Sequence, residues 1–280
     1  MASRVRHLLT LAVASLATAA LVPVGAVASS PDALTTARAT LAGLHIGGPN
    51  RPAASAALRI SATTTSLHST NWSGWADDHT AGDTYTAASG HWVEPSITCI
   101  RSTDTELAVF WVGIDGLTDG SVEQDGTIAA CLNGAPAYFS WWEMYPTNAI
   151  QIVAAVNPGD KITSKVTFKG GKYHLAVTDA TTPSGSFTRT EKCGSGVTCA
   201  NTSAEWIAER PSGASGLFVL PHFTTWHVTG ATATGAAAGV IGSFPNDEIT
   251  MVNGANKVLA KPGALNSGGN SFKVTWKASA

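Results

Sequence analysis

The stretch Lys165-Val-Thr-Phe-Lys-Gly-Gly-Lys-Tyr-His-Leu-Ala-Val-Thr178 decides the fold. Val166 and Phe168 alternate with Lys165, Thr167 and Lys169, and Tyr173, Leu175 and Val177 alternate with His174, Ala176 and Thr178. A period of two sends successive side chains to opposite faces of an extended chain. Gly170-Gly171 between the two runs supplies a tight turn, so the segment reads as a β-hairpin with one buried face.

The same pattern extends outward in both directions. Phe272, Val274 and Trp276 alternate with Lys273, Thr275 and Lys277 near the C-terminus, and Asn157-Pro158-Gly159-Asp160 marks a turn between two further strands. Helical patterning is weak; its best candidate, the Ala-rich run near Gly235–Gly239, is interrupted by glycines. Many short strands divided by Gly, Pro and Asn turns predict an all-β chain folded as an antiparallel sandwich or barrel, and no internal repeat is present.

Three zones precede or make up this domain. Residues 1–28 read as a signal peptide: Arg4 and Arg6, an apolar run from Leu8 to Val24, then Ala26-Val27-Ala28 as a cleavage signal. No later run is long and apolar enough to anchor the chain, so the expectation is a secreted, extracellular protein. Residues 29–66 carry Arg38, Arg51 and Arg59 against Asp32 and lack Phe, Trp and Tyr, too little to build a core. Residues 67–280 hold all nine tryptophans, with 12 Lys+Arg against 18 Asp+Glu. A basic leader before an acidic body suits a pro-segment that docks electrostatically, and equally a disordered linker. The acidic body excludes nucleic acid as a partner. Export favours disulfides for Cys99, Cys131, Cys193 and Cys199: Cys193 and Cys199 enclose a short Gly-rich loop and Cys99 pairs with Cys131 by elimination, a preference among three connectivities. Without a C-x2-C pair or a nearby histidine, no metal or cofactor is expected.

Chemistry concentrates in three strand-like segments that put aromatics and acids on one face. Trp111 and Asp115 share a side in Ala108–Gly116; Phe139, Trp141, Glu143 and Tyr145 share one in Phe139–Pro146; Glu205, Ile207 and Glu209 share one in Ser203–Glu209. Such a surface makes a groove for an extended polymer. The chain lacks H-E-x-x-H, G-x-S-x-G, D-T-G and D-S-G, and the spacing of His222 and His227 suits neither a strand face nor a helix face. Asn71-Trp72-Ser73 and Asn201-Thr202-Ser203 match the glycosylation pattern.

Five ordered motifs carry a resemblance to the glutamic peptidases, or eqolisins, as a bacterial-type secreted member: Asn71-Trp72-Ser73-Gly74, Trp111 to Gly116, Gln124, Trp142 to Pro146, and Ala204 to Ile207. The resemblance implies a lectin-like (concanavalin-like) jelly-roll sandwich of two antiparallel sheets. It implies endopeptidase activity at acidic pH, indifference to pepstatin, and activation by loss of a pro-segment. Gln124 takes the family's catalytic glutamine position and Glu205 its catalytic glutamate, with Trp111, Asp115, Trp141, Glu143 and Tyr145 as groove or supporting residues. Ile128 and Phe139 depart from it, since acids are common there in fungal members.

A glutamate can take a proton from water and return it to the leaving nitrogen, while a glutamine amide donates a hydrogen bond at any working pH. The expected partners are protein or peptide substrates and the chain's own pro-segment, with the protein acting as a monomer. The alternative is a carbohydrate-binding or glycan-cleaving lectin-like sandwich. Its usual E-x-D-x-x-E strand is broken here, where Glu123 and Asp125 are followed by Ile128 in place of the last acid.

Overall fold

A computed structural model describes residues 31–54, 58–61, 63–78, 84–101 and 104–279. The signal peptide expected at residues 1–28 lies outside the described residues. The body is almost wholly antiparallel β. The hairpin read from sequence is present: Lys161–Lys169 pairs with Lys172–Asp179 in the register Val166↔Leu175 and Phe168↔Tyr173. Gly170 and Gly171 both have positive φ, at 61° and 72°, the turn geometry that matches strand twist.

Two sheets face each other. The first contains Trp72–Asp78 (β1), Glu106–Ile114 (β2), Val122–Leu132 (β3), Ala135–Tyr145 (β4), Ser203–Glu209 (β5) and Asn246–Val252 (β6), hydrogen-bonded in the order β4-β3-β2-β5-β1-β6. The second contains the hairpin, Phe187–Glu191 and Ala87–Val93. Trp226–Thr234 joins them: its first residues pair with Phe272–Trp276 of the first sheet and its later ones with Ala87–Val93 of the second. The register slips between Thr229 and Thr232, where Gly230 takes φ 59°. A strand that changes sheets needs such a bulge and a residue free of Cβ strain. A Cβ on Gly230 would also approach the His91 ring to 2.8 Å.

Between the sheets lies a core of Trp75, Trp92, Phe110, Trp206, Phe223, Trp226 and Phe272, several meeting edge to face. The outer face of the first sheet buries a second apolar cluster that includes Trp72, Trp111, Phe139, Trp141 and Ile207. Both faces of the central strands are therefore buried, which explains their long apolar runs. Disulfides join Cys99 to Cys131 and Cys193 to Cys199.

Two elements differ from the sequence expectation. The Ala-rich run near Gly235–Gly239 is no helix; Ala238–Val240 is a short strand. The α-helix among the described residues is instead Pro31–Leu41, inside the segment judged unable to build a core. Its stripe of Ala33, Leu34, Ala37 and Leu41 packs on the outer cluster, a core borrowed from the body. Arg38 also donates to the Ile152 and Val153 carbonyls of strand Gln151–Ala155 at 3.0 and 2.6 Å, satisfying that strand's exposed acceptors. The boundary expected at residue 66 falls within the Thr64–Ser69 strand, which runs parallel to β6.

An unusual number of carboxyls is buried. Asp77, Glu94, Asp115, Glu123, Asp125, Glu143, Glu205 and Glu209 are each at most 2% exposed. Among the described residues, Glu143 alone of these has an ion-pair partner, His45. Burial raises all eight, Asp115 to about 6, Asp125 to about 7 and Glu94 to about 8. These groups keep their protons in the fold at pH values where the unfolded chain has released them. Stability is therefore fully present below about pH 4 and is lost as pH rises through the folded values toward 8. Glu94 alone contributes about 4 kcal/mol of this difference. Thermal melts should show Tm at least about 10 °C higher at pH 4.5 than at pH 8, and a flat or rising profile would contradict this.

Candidate active site

The register places a single row of residues across the outer face of the first sheet. Asp247 on β6 opposes Ala76 on β1, Ala76 opposes Glu205 on β5, Glu205 opposes Gly113 on β2, Gly113 opposes Gln124 on β3, and Gln124 opposes Glu143 on β4. Strands lie about 4.8 Å apart, so the Glu205 and Gln124 backbones stand about 10 Å apart across Gly113. The missing side chain at Gly113 leaves a gap into which a carboxyl and an amide reach from either side. A Cβ there would lie 2.7 Å from the Trp111 ring and close part of that gap.

Glu205 is fully buried, and among the described residues neither carboxyl oxygen has a partner within hydrogen-bonding geometry, the Ser203 hydroxyl being its nearest polar neighbour on its own strand. Burial first, then the nearby acids Asp115, Asp119 and Glu123, raise it well above the ordinary carboxylate range, while Ser203 opposes the shift. The carboxyl is therefore neutral in this arrangement.

The leader covers this row. Gln124 Nε2 donates to the Gly47 carbonyl, and the Gly47 N–H donates to Glu143 Oε2 at 2.8 Å. His45 Nδ1 meets Glu143 Oε1 at 3.1 Å, and its ring stands edge-on to Tyr145. Trp72 Nε1 donates to the Gly48 carbonyl at 3.1 Å, and Ile46 is fully buried in the outer cluster. A Cβ on Gly47 would lie 2.2 Å from Gln124 Nε2, so glycine is what permits this approach. The leader thus crosses the groove, bending at Gly47, with a peptide carbonyl on the Gln124 amide.

Comparison with known proteins bears directly on this arrangement. The sequence model of the peptidase A4 family matches residues 70–276. The chain belongs to the peptidase A4 family. It is a glutamic-type endopeptidase, with protein as the substrate class. Aspergillopepsin-2 from Aspergillus niger is 26% identical over 239 residues, spanning 78% of this chain and 82% of that protein. The crystal structure of scytalido-glutamic peptidase with a transition state analog inhibitor superposes with a TM-score of 0.63 at 18% identity, covering 74% of this chain and 98% of that one. Aspergilloglutamic peptidase from Aspergillus niger gives 0.53 at 26% identity, covering 61% and 99%. The eqolisin sandwich expected from sequence is the fold observed.

Within this A4 peptidase, Trp111, Trp141, Glu143 and Tyr145 share the outer face with Gln124 and Glu205, on the sides that strand alternation assigned them. Trp111 Nε1 donates to Glu209 at 2.9 Å and its ring meets Trp72 edge to face. Trp141 is buried in the outer cluster. Asp115 behaves differently: with φ 70° it ends the strand alternation and accepts the Asn201 and Thr202 N–H groups at 2.8 and 2.6 Å. It ties down the turn that leads into β5. Glu123 and Asp125 fall on the inter-sheet side of β3, where Asp125 accepts from Ser164 and Ala176, so this strand offers the groove no pair of acids for glycoside cleavage.

Three participants were missed as site residues: Gly113, Glu209 and Asn71. Only the register exposes Gly113. Glu209 shares the face of Glu205 in alternation, and Asn71 sits in the first motif. Neither sequon offers a free amide: Asn71 and Asn201 are 2% and 7% exposed, and Asn201 Oδ1 accepts from Tyr173. His222 packs edge-on against Trp276, and His227 bonds Ser271 away from the groove.

Proposed function

We propose that this chain is a secreted acid endopeptidase in which Gln124 holds the scissile carbonyl and Glu205 works on a water molecule above Gly113. Water attacks the carbonyl carbon while Glu205 takes its proton, and the oxygen gaining charge is held by the Gln124 amide. The C–N bond then breaks as Glu205 returns that proton to the leaving nitrogen. Trp111, Trp141, Glu143 and Tyr145 line the groove, and Asp115 steadies β5 under Glu205. The observation that carries this reading is the row Glu205, Gly113 and Gln124, with a peptide carbonyl already on Gln124. Processed protein should digest denatured haemoglobin at pH 3–4 with chelator and pepstatin present. Absence of new peptides by mass spectrometry would overturn it.

Residues 29–66 act as the pro-segment of a zymogen, leaving after export. Covering the row excludes water and keeps Glu205 protonated, so it cannot act as a base. Release of the leader admits water and lets the carboxyl fall toward its ordinary range. Gly47→Val would press a side chain into Gln124 and dislodge the leader. Activity of the unprocessed chain should rise about tenfold or more, the effect of losing one to two kcal/mol of docking. Latency equal to wild type would contradict the leader's role.

A further inference from the structure

The leader's path past Gln124 shows how the groove grips a chain beyond the site of cleavage. With the Gly47 carbonyl in the scissile position, Gly48, Pro49, Asn50 and Arg51 are the first four residues on the leaving side. Each is held by its backbone: the Gly48 carbonyl by Trp72 Nε1, the Pro49 carbonyl by Asn71 Nδ2 at 3.0 Å, the Asn50 N–H by the Gly116 carbonyl at 2.9 Å, and the Arg51 N–H by Asn71 Oδ1 at 2.8 Å. Thr70 N–H donates to the Arg51 carbonyl at 2.8 Å. Asn71 alone uses both ends of one side chain on the same strand of peptide.

The body holds that amide in place. Ser69 Oγ donates to Asn71 Oδ1 at 2.9 Å, Asn71 Nδ2 donates to Glu209 Oε1 at 3.3 Å, and Arg210 N–H donates to the Asn71 carbonyl at 2.7 Å. Glu209 is itself fixed by Trp111. These partners stay when the leader leaves, and one donor and one acceptor of Asn71 are then open. An amide fixed on one side with one donor and one acceptor free on the other complements a peptide backbone and ignores its side chains.

We propose that Asn71 is a substrate-binding residue that clamps the peptide backbone on the leaving side, at the carbonyl of the second residue and the N–H of the fourth residue past the cleaved bond. This rests on the assignment of Gln124 as the carbonyl-holding group. It makes affinity depend on how far a substrate extends past the cleaved bond, with little regard to sequence there.

The test compares two peptides with the processed protein, one ending as an amide one residue past the cleaved bond and one extending five residues past it. Asn71→Ala should raise KM for the long peptide about 10- to 30-fold, two hydrogen bonds' worth, with kcat within twofold and KM for the short peptide unchanged. A purely structural role would shift both peptides alike, and that result overturns the proposal. Should Asn71→Ala fail to fold, the wild-type protein serves with a long peptide N-methylated at the fourth residue. Its KM should rise about fivefold or more, whereas methylation at the fifth residue should have no effect. Equal responses at the two positions reject the clamp. If wild-type protein cleaves neither peptide, the peptidase assignment fails instead. The clamp is then read from calorimetry with a synthetic 44–53 leader peptide, which must bind less tightly when Arg51 is N-methylated.

Discussion

Glu205→Gln is expected to lower kcat on the order of 10⁴-fold while the fold survives. The same carboxyl is asked to take the proton from water and to deliver it to the departing nitrogen, and positioned general acid–base groups contribute about 10²–10⁴-fold. An amide of the same shape can do neither. Stability should not suffer, because Glu205 is buried and neutral in the covered state, with no partner in hydrogen-bonding geometry among the described residues, and Gln replaces one uncharged group with another. Turnover of denatured haemoglobin at pH 3–4 and a thermal melt measure the two halves separately. Wild-type turnover in a folded variant would remove Glu205 from the mechanism.

Gln124→Ala should lose about 10²–10³-fold in kcat, the loss of one oxyanion donor at about 2.7–4 kcal/mol. The Gln124 side chain already donates to the Gly47 carbonyl, so the variant should also hold its leader less tightly. Gln124→Glu separates donation from shape. A protonated carboxyl can donate and an ionised one cannot, so its activity should survive only at the acid end and fall as pH rises through the titration of the new group. A pH profile parallel to wild type would argue that residue 124 does not hold the developing charge.

Strand alternation was legible because burial on one face leaves a period of two. It assigned Trp111, Trp141, Glu143, Tyr145 and Glu205 to one side of their strands, and the Gly170-Gly171 turn fixed the hairpin register. Alternation failed at Asp115, where a positive φ just past the last strand residue, Ile114, takes the side chain out of the strand's period of two. Pairing between distant strands leaves no trace in local sequence, so the place of Gly113 between Glu205 and Gln124 could not be read. The leader was undervalued for a related reason. Its helix buries only alanines and leucines, and residues 45–51 are held mostly through backbone groups, which composition does not record. The Gly-Gly pair at 47–48 was visible, but its meaning depends on Gln124 standing beneath it.

The fold and the proposed acid chemistry would share an origin. Eight of the buried carboxyls are raised by burial and seven of those have no ion-pair partner among the described residues, which suits a protein that works where such groups stay protonated. Neutral pH would weaken the sandwich by the same titrations that ionise the acids around Glu205.

The most direct measurement is a high-resolution crystal structure of the processed protein at acidic pH. One ordered water should lie within about 2.6–3.2 Å of both Gln124 Nε2 and a Glu205 carboxyl oxygen, above Gly113. A groove in which these two side chains turn apart, or stand too far from each other to contact one water, would contradict the account.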